Sequence, residues 1–405
     1  MPVSDDARRP PRFLSLFRRV TTSGGFIAEI DGLRFIAIFA VVLFHLAVGL
    51  SIKSPAHYTR PAGSWLGVVA WNGFRGVELF FVISGFILAL PFAAHFLKAR
   101  ARVDLKQYFL RRVTRLEPPY LLCMILLFAL HVLVKGRSAA ELRPHLGASL
   151  VYLHNLIYAG ESPINNVAWS LEIEIQFYLF TPLLAALFAI PGKAARRGAI
   201  VAIGAASLAL GWLLIEPGQR AYLSILRFLH FFLAGFLLAD VYLTDWDERP
   251  ALSWRWDLVS FLGWPLLFFA WGSTGQPFPA PAREPAITTF LFPAAILVLY
   301  CAAFRGPITN RLLTNPWITT IGGMCYTIYL LHNPALGMIL AATRGIAPTG
   351  WYAGDVLVQL ALVAPLLLLP SALYFALIEK PCMRRDWPRR LMERLRTITP
   401  AAGPR

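Results

Sequence analysis

The sequence predicts an all-α integral membrane protein with about ten transmembrane helices and both termini in the cytoplasm. Three observations lead there. First, 57% of the 405 residues are hydrophobic and the mean hydropathy is +0.58, more apolar than a soluble domain of this size. Second, ten apolar runs can be marked, at roughly 30–50, 76–96, 118–134, 168–190, 199–215, 222–243, 257–272, 285–304, 317–342 and 354–378, most of them near the ~20 residues that cross a bilayer as a helix. Third, with the N-terminus inside, 27 of the 38 Lys and Arg residues fall in inside segments and 9 in outside segments. Such a bias sets orientation.

Domain organisation follows. Residues 1–29 form a basic N-terminal segment, 30–378 the membrane domain and 379–405 a basic C-terminal tail read as solvated and lipid-facing. No internal repeat is visible, which speaks against a transporter built on inverted repeats. The first apolar run is long and lacks a small-residue cleavage site, so it reads as a retained span. The formal charge of +16 fits loops on anionic lipid rather than nucleic-acid binding. Cys123, Cys301, Cys325 and Cys382 have neither metal-site spacing nor a disulfide pattern, so no metal is expected.

The first span carries Arg34 and His45 in Asp31-Gly32-Leu33-Arg34-Phe35…Phe44-His45. Eleven residues at ~100° each return to one helix face, with roughly 16 Å of rise between them. Ionisable groups at membrane depth mark functional sites. The alternatives are an interfacial anchor for Arg34 and a satisfied core imidazole for His45. The second span opens Gly76-Val77-Glu78-Leu79-Phe80-Phe81-Val82-Ile83-Ser84-Gly85. Glu78 enters at about the depth of His45 and could orient it, or it could simply complement the helix dipole. Ser84 and Gly85 read as packing residues.

Before the third span lies the densest basic stretch, including Arg111, Arg112 and Arg115. Their i, i+1, i+4 spacing suits a grip on phosphates, against the alternative of a lipid-contacting loop. The fourth span opens Trp169-Ser170-Leu171-Glu172-Ile173-Glu174-Ile175-Gln176-Phe177-Tyr178. Ser170, Glu174 and Thr181 share one face, with Glu172 and Gln176 roughly opposite. A helix polar on two sides must be surrounded by protein or line a cavity. On the sixth span Arg227 and His230 could pair with Glu172 or Glu174. On the ninth, Tyr329 and His332 share a face and Pro334 is expected to kink the helix.

These motifs in this order resemble the acyltransferase 3 family: Arg34-x10-His45, the Gly76–Phe86 run, Trp169-Ser170-Leu171 leading to Glu174 and Gln176-Phe177-Tyr178-Leu179, Tyr326–Pro334 and the terminal Glu379-Lys380-Pro381. The match runs from about residue 28 to 385. Family members often carry Asp where Glu78 stands, and two adjacent Glu where this chain has Glu174-Ile175. The resemblance implies a ten-helix bacterial inner-membrane enzyme with no permanently bound cofactor. Its co-substrate would be acyl-CoA, usually acetyl-CoA, and its acceptor a hydroxyl on a glycan, exopolysaccharide or glycolipid.

The residues agree with that chemistry. Moving an acyl group from a thioester to a hydroxyl needs a base, and histidine suits neutral pH. It also needs donors for the developing oxyanion, which Trp169, Ser170 or an amide could offer. Arg34 with Arg111, Arg112 and Arg115 would hold the CoA end, and His45, oriented by Glu78 or Glu174, would activate the acceptor. Two other classes remain open at this point. One is a proton-coupled transporter or flippase using His45, Glu174, Arg227 and His332 as relay groups. The other is a sensor whose buried charges are structural.

Overall fold

In the computed structural model the described residues are 11, 13–20, 26–54, 58, 64–270, 286–384 and 386–387. All regular structure among them is helical. The main helices are α1 (Ala28–Lys53), α2 (Trp65–Trp71), α3 (Gly76–Lys98), α4 (Leu105–Leu133), α5 (Ala139–Leu150), α6 (His154–Tyr158), α7 (Trp169–Leu184), α8 (Lys193–Leu214) and α9 (Ile225–Thr244). They continue as α10 (Trp254–Ala270), α11 (Ala286–Arg305), α12 (Pro307–Leu313), α13 (Pro316–Gly323), α14 (Cys325–Thr343) and α15 (Tyr352–Tyr374), which ends in a π turn over Phe375–Glu379.

Among the described residues the apolar runs of the sequence are helical, though not each as a single helix. Eight helices among the described residues are long and apolar enough to cross a bilayer. A ninth span results if residues 289–305 and 307–313, bent by 89°, count together. The chain is thus a multi-pass membrane protein. In hydrocarbon every backbone polar group must be satisfied within the chain, which is why apolar runs of this length become helices.

The centre of the bundle is the crossing of α3 and α9. A Cβ on Gly85 would lie 2.1 Å from the Phe232 carbonyl oxygen, and one on Gly235 would lie 2.3 Å from that of Val82. Two glycines opposite each other let the backbones touch. Around this contact Phe232 stacks on Phe177 at 4.0 Å and meets Phe81 at 4.8 Å. Helix α1 packs beside α3 and carries His45 and Arg34 into the interior.

Polar caps fix the shorter elements. The Asp257 carboxylate accepts from the amides of Ile308 at 3.1 Å and Thr309 at 2.8 Å, holding α12 across the bend after α11. The apolar run at 317–342 is not one helix. It breaks at Met324 between α13 and α14, where Gly322 packs against the Asp31 backbone so closely that a Cβ would overlap its oxygen at 1.8 Å. Pro334, expected to kink this span, lies inside the uninterrupted α14.

At the arginine-rich end, Arg196 and Arg197 clasp the buried Asp240. Just past α9, the hydrogen bond from Arg197 holds the Asp245 carboxyl down at about 2. These pairs tie α8 to the end of α9.

Candidate active site

A cavity of about 870 Å³ runs through the bundle. One wall is a single face of α3, from Val77 through Phe80, Phe81, Ser84, Ile87, Leu88 and Pro91 to Ala94. The eighteen residues of helix from Val77 to Ala94 make that wall about 26 Å long, most of a bilayer core. At the α4 end the lining includes Arg102, Asp104, Arg111, Arg112 and Arg115, and from α1 and the segment before it Arg34 and Arg19. Beyond them it includes Tyr178, whose ring lies 5.5 Å from the Arg112 guanidinium, then Glu174, Ser170 and Tyr329.

The basic end carries a surplus of positive charge. Eight arginines line the cavity (Arg19, Arg34, Arg100, Arg102, Arg111, Arg112, Arg115 and Arg384) against four carboxylates, Asp104, Glu174, Glu248 and Glu379. The Nε atoms of Arg112 and Arg115 are buried and have no hydrogen-bond partner among the described residues. Arg112 is held by its Nη1 bond to the Tyr108 carbonyl at 2.8 Å and by stacking 3.6 Å over the Tyr108 ring. Fixed guanidiniums with unspent donors suit a polyanion bearing phosphates. Arg34 is anchored at 2.7 Å to Asp31, three residues earlier on α1, and Arg19 binds the same carboxylate at 2.7 Å.

The inner end is a chain of hydrogen-bonding groups. Tyr329 Oη lies 2.6 Å from Ser170 Oγ and donates to the Val167 carbonyl at 3.1 Å. Ser170 Oγ reaches the same carbonyl at 3.4 Å, so either hydroxyl can donate to Val167 while the other donates to its partner. One turn from Tyr329, His332 is fully buried. Its Nδ1 lies 2.8 Å from the Tyr329 carbonyl and its Nε2 3.2 Å from His45 Nδ1. His45 Nδ1 also lies 3.0 Å from the Val41 carbonyl. The two imidazoles form a layer just past the Tyr329 end of the cavity.

The structure brings together His45, His332, Tyr329 and Ser170, with Glu174 nearby. Glu174 Oε1 accepts from Ser84 Oγ at 2.5 Å and Tyr178 Oη at 2.7 Å. Glu172 does something else. Its carboxylate accepts from the amides of His154 at 3.2 Å and Asn155 at 2.8 Å, capping α6. Gln176 likewise accepts from the Ile225 amide at the start of α9. Trp169 packs edge-on to Phe81, and its carbonyl accepts from Asn155.

Glu78 lies on the first turn of α3, 3.2 Å from Arg75. Arg227 and His230 stand apart from the acids they were expected to meet. The Arg227 guanidinium sits 3.8 Å over the Tyr222 ring, and His230 packs on Phe231 at 4.2 Å; neither pairs with Glu172 or Glu174 among the described residues. The expected pairing therefore fails, because an aromatic face already takes the guanidinium.

Sequence reasoning missed Arg19, Asp31, Tyr178 and Glu379, and it read Ser84 as packing. Tyr178 follows Glu174 by four and Asp31 precedes Arg34 by three, so helical spacing alone could have found both. Arg19 and Glu379 carry no such local signal. Glu379, expected to open a solvated tail, is buried and accepts from Thr327 Oγ1 at 2.5 Å.

The family model described as an acyltransferase domain, of the acyltransferase 3 type, matches residues 27–378. The chain is 27% identical over 361 residues to peptidoglycan O-acetyltransferase OatA of Listeria monocytogenes, covering 83% of this chain and 53% of that protein. It is 24% identical over 335 residues to O-acetyltransferase OatA of Staphylococcus aureus, covering 77% of this chain and 51% of that one. The chain thus spans about half the length of these relatives. No solved structure matches it. With the family model covering most of the chain, the protein belongs to the acyltransferase 3 family and is an acyltransferase.

Proposed function

We propose that this protein is a membrane-bound O-acyltransferase that takes an acyl group, acetyl above all, from cytoplasmic acyl-CoA. The acceptor is a hydroxyl of a cell-envelope glycan or related molecule on the far side of a bacterial inner membrane. The observation that carries this reading is the cavity, which links a cluster of arginines at one end to the Tyr329–Ser170 pair at the other, with the two imidazoles packed behind that pair. The relatives, named as O-acetyltransferases, one of them for peptidoglycan, support acetyl and a glycan. The domain organisation follows the same reading, with 30–378 as the catalytic membrane domain between basic cytoplasmic ends.

Acyl-CoA supplies the acyl group already activated as a thioester. Arg111, Arg112, Arg115 and Arg34 hold its phosphates, for which the unspent Nε atoms of Arg112 and Arg115 are suited. At the other end a backbone carbonyl can only accept, so in the neutral rings both Nδ1 atoms carry their protons. His45 Nε2 is then the free lone pair, and it takes the proton of the acceptor hydroxyl. The Tyr329–Ser170 hydroxyl pair lines the same end, and one of its O–H groups turns from the Val167 carbonyl to the oxyanion as the hydroxyl oxygen adds to the acyl carbon. When the carbon–sulfur bond breaks, the proton on His45 passes to the departing thiolate.

The test is acyl-thioester consumption by the purified protein in vesicles. Release of CoA thiol should require a glycan acceptor and stop in His45→Gln. A protein that moves a substrate without consuming thioester would be a transporter, and that result would end this reading.

A further inference from the structure

We infer that Arg19, held by Asp31 at the outermost part of the arginine-rich end, recognises the ribose 3′-phosphate of the donor; this rests on reading the cavity as an acyl-CoA site.

Position comes first. Arg34 and Arg19 bind opposite oxygens of one carboxylate, Asp31 Oδ1 and Oδ2, each at 2.7 Å. Arg34 lies on α1 toward His45. Arg19 reaches the carboxylate from the segment that precedes the helix, and Asp31 lies three residues before Arg34, away from His45. Outward from His45 along α1 the order is therefore Arg34, then Asp31 with Arg19 upon it. In CoA the thioester stands at one end, the pyrophosphate in the middle and the ribose phosphate at the other end. If the thioester is at the imidazole layer and Arg34 meets the pyrophosphate, the next guanidinium outward meets the 3′-phosphate.

Charge and rigidity point the same way. Asp31 is 1% exposed and serves two guanidiniums, whose side chains are 11% and 15% exposed. One negative charge between two positive ones leaves a net cation facing the cavity, and a cation so far from water calls for an anion. Arg19 gives Asp31 its Nε donor, and among the described residues this leaves its Nη donors for a phosphate. The segment carrying Arg19 is tied down rather than draped. Lys380 Nζ donates to the carbonyls of Ser15 at 2.9 Å and Leu16 at 2.8 Å, and the Val20 amide meets Met383 Sδ at 3.4 Å. By contrast Arg100 pairs with Glu248, and Arg102 and Arg384 are exposed. Arg19 is thus a half-buried, pre-oriented cation beyond Arg34 at this end of the cavity.

The experiment compares equilibrium binding of CoA and dephospho-CoA, which differ by the one phosphate, to the purified full-length protein. Wild type should bind CoA roughly 10- to 100-fold more tightly, the worth of a charge-assisted phosphate contact. Arg19→Ala should bring CoA affinity down to that of dephospho-CoA and leave dephospho-CoA within about twofold of wild type. Arg19→Gln should do the same, and it serves if the alanine variant folds poorly. Arg115→Ala should weaken both nucleotides alike. Equal weakening of both by Arg19→Ala, no weakening of either, or a wild type that does not tell the two apart would each overturn the assignment. A wild type that binds neither nucleotide would remove the donor reading itself, and this inference with it.

Discussion

His332 Nε2 lies 3.2 Å from His45 Nδ1, which leaves His45 Nε2, the nitrogen proposed above as the base, pointing away from this contact. The Tyr329 and Val41 carbonyls both require a proton on the Nδ1 that faces them. His332 thereby offers a bare Nε2 to His45, and His45 keeps its own Nε2 bare for the acceptor.

His45→Gln can still hydrogen-bond but cannot take a proton at neutral pH. It should lose at least ~10²–10⁴-fold in turnover per folded molecule, as expected for a missing general base. His332→Phe should lose less, about 10- to 100-fold, since it removes one partner of a buried N–H. Donor affinity should hold in both. A His45→Gln enzyme within a few-fold of the parent would end the catalytic assignment.

Glu172 and Glu174 should separate cleanly. Glu172 is occupied by the amides of His154 and Asn155. Glu172→Gln replaces one accepting oxygen with an amino group facing an N–H, at a cost of ~1–3 kcal/mol in stability. Its turnover per folded molecule should stay close to wild type. Glu174 lines the cavity and takes protons from Ser84 and Tyr178, so Glu174→Gln should lower turnover with little change in melting temperature. The pair of variants, melted and assayed side by side, checks this; the reverse pattern would exchange the roles.

Much of this was legible in the sequence because membrane helices announce themselves through apolar length, and because Arg34 and His45 lie on one element at a spacing that fixes their common face. The Arg111, Arg112 and Arg115 group was visible for the same reason. What the sequence could not show was contact between elements distant in the chain. The partner of His45 comes from 287 residues away, while Glu78, nearer in sequence, lies against Arg75. The tie between Arg19 and Asp31 depends on how the preceding segment folds back. Glu172 and Glu174 differ by two positions and looked equivalent until the capped helix α6 took one of them.

The glycine contact between α3 and α9 should tolerate no side chain. Gly85→Ala would place a methyl carbon 2.1 Å from the Phe232 carbonyl oxygen, backbone that no rotamer change can move. Separating the helices also disturbs the Phe81–Phe232–Phe177 stack. Overpacking of this kind costs about 1–3 kcal/mol or more. Gly85→Ala and Gly235→Ala should each lower the melting temperature. Because both relieve the same contact, the double variant should cost less than the two together. Additive losses would mean that the two glycines pack independently.

The last expectation concerns sidedness, on which the donor reading depends. The cavity opens its arginine-rich end beside Arg102 and Asp104, in the loop between α3 and α4. The same end holds the ion pairs Lys98–Asp247 and Arg197–Asp245. CoA is a cytosolic metabolite, and the Lys and Arg bias predicts that this end lies inside. Truncation fusions ending after residues 105 and 195 should therefore place a reporter in the cytoplasm, and one ending after residue 150 should place it outside. The three positions fall in successive turns of the chain across the bilayer, so one inverted span would break the alternation. A reporter that reads outside after residue 105 would put the arginines on the wrong side for CoA. The cavity would then have to be refilled with an external anion, and the reaction would run in the opposite direction across the membrane.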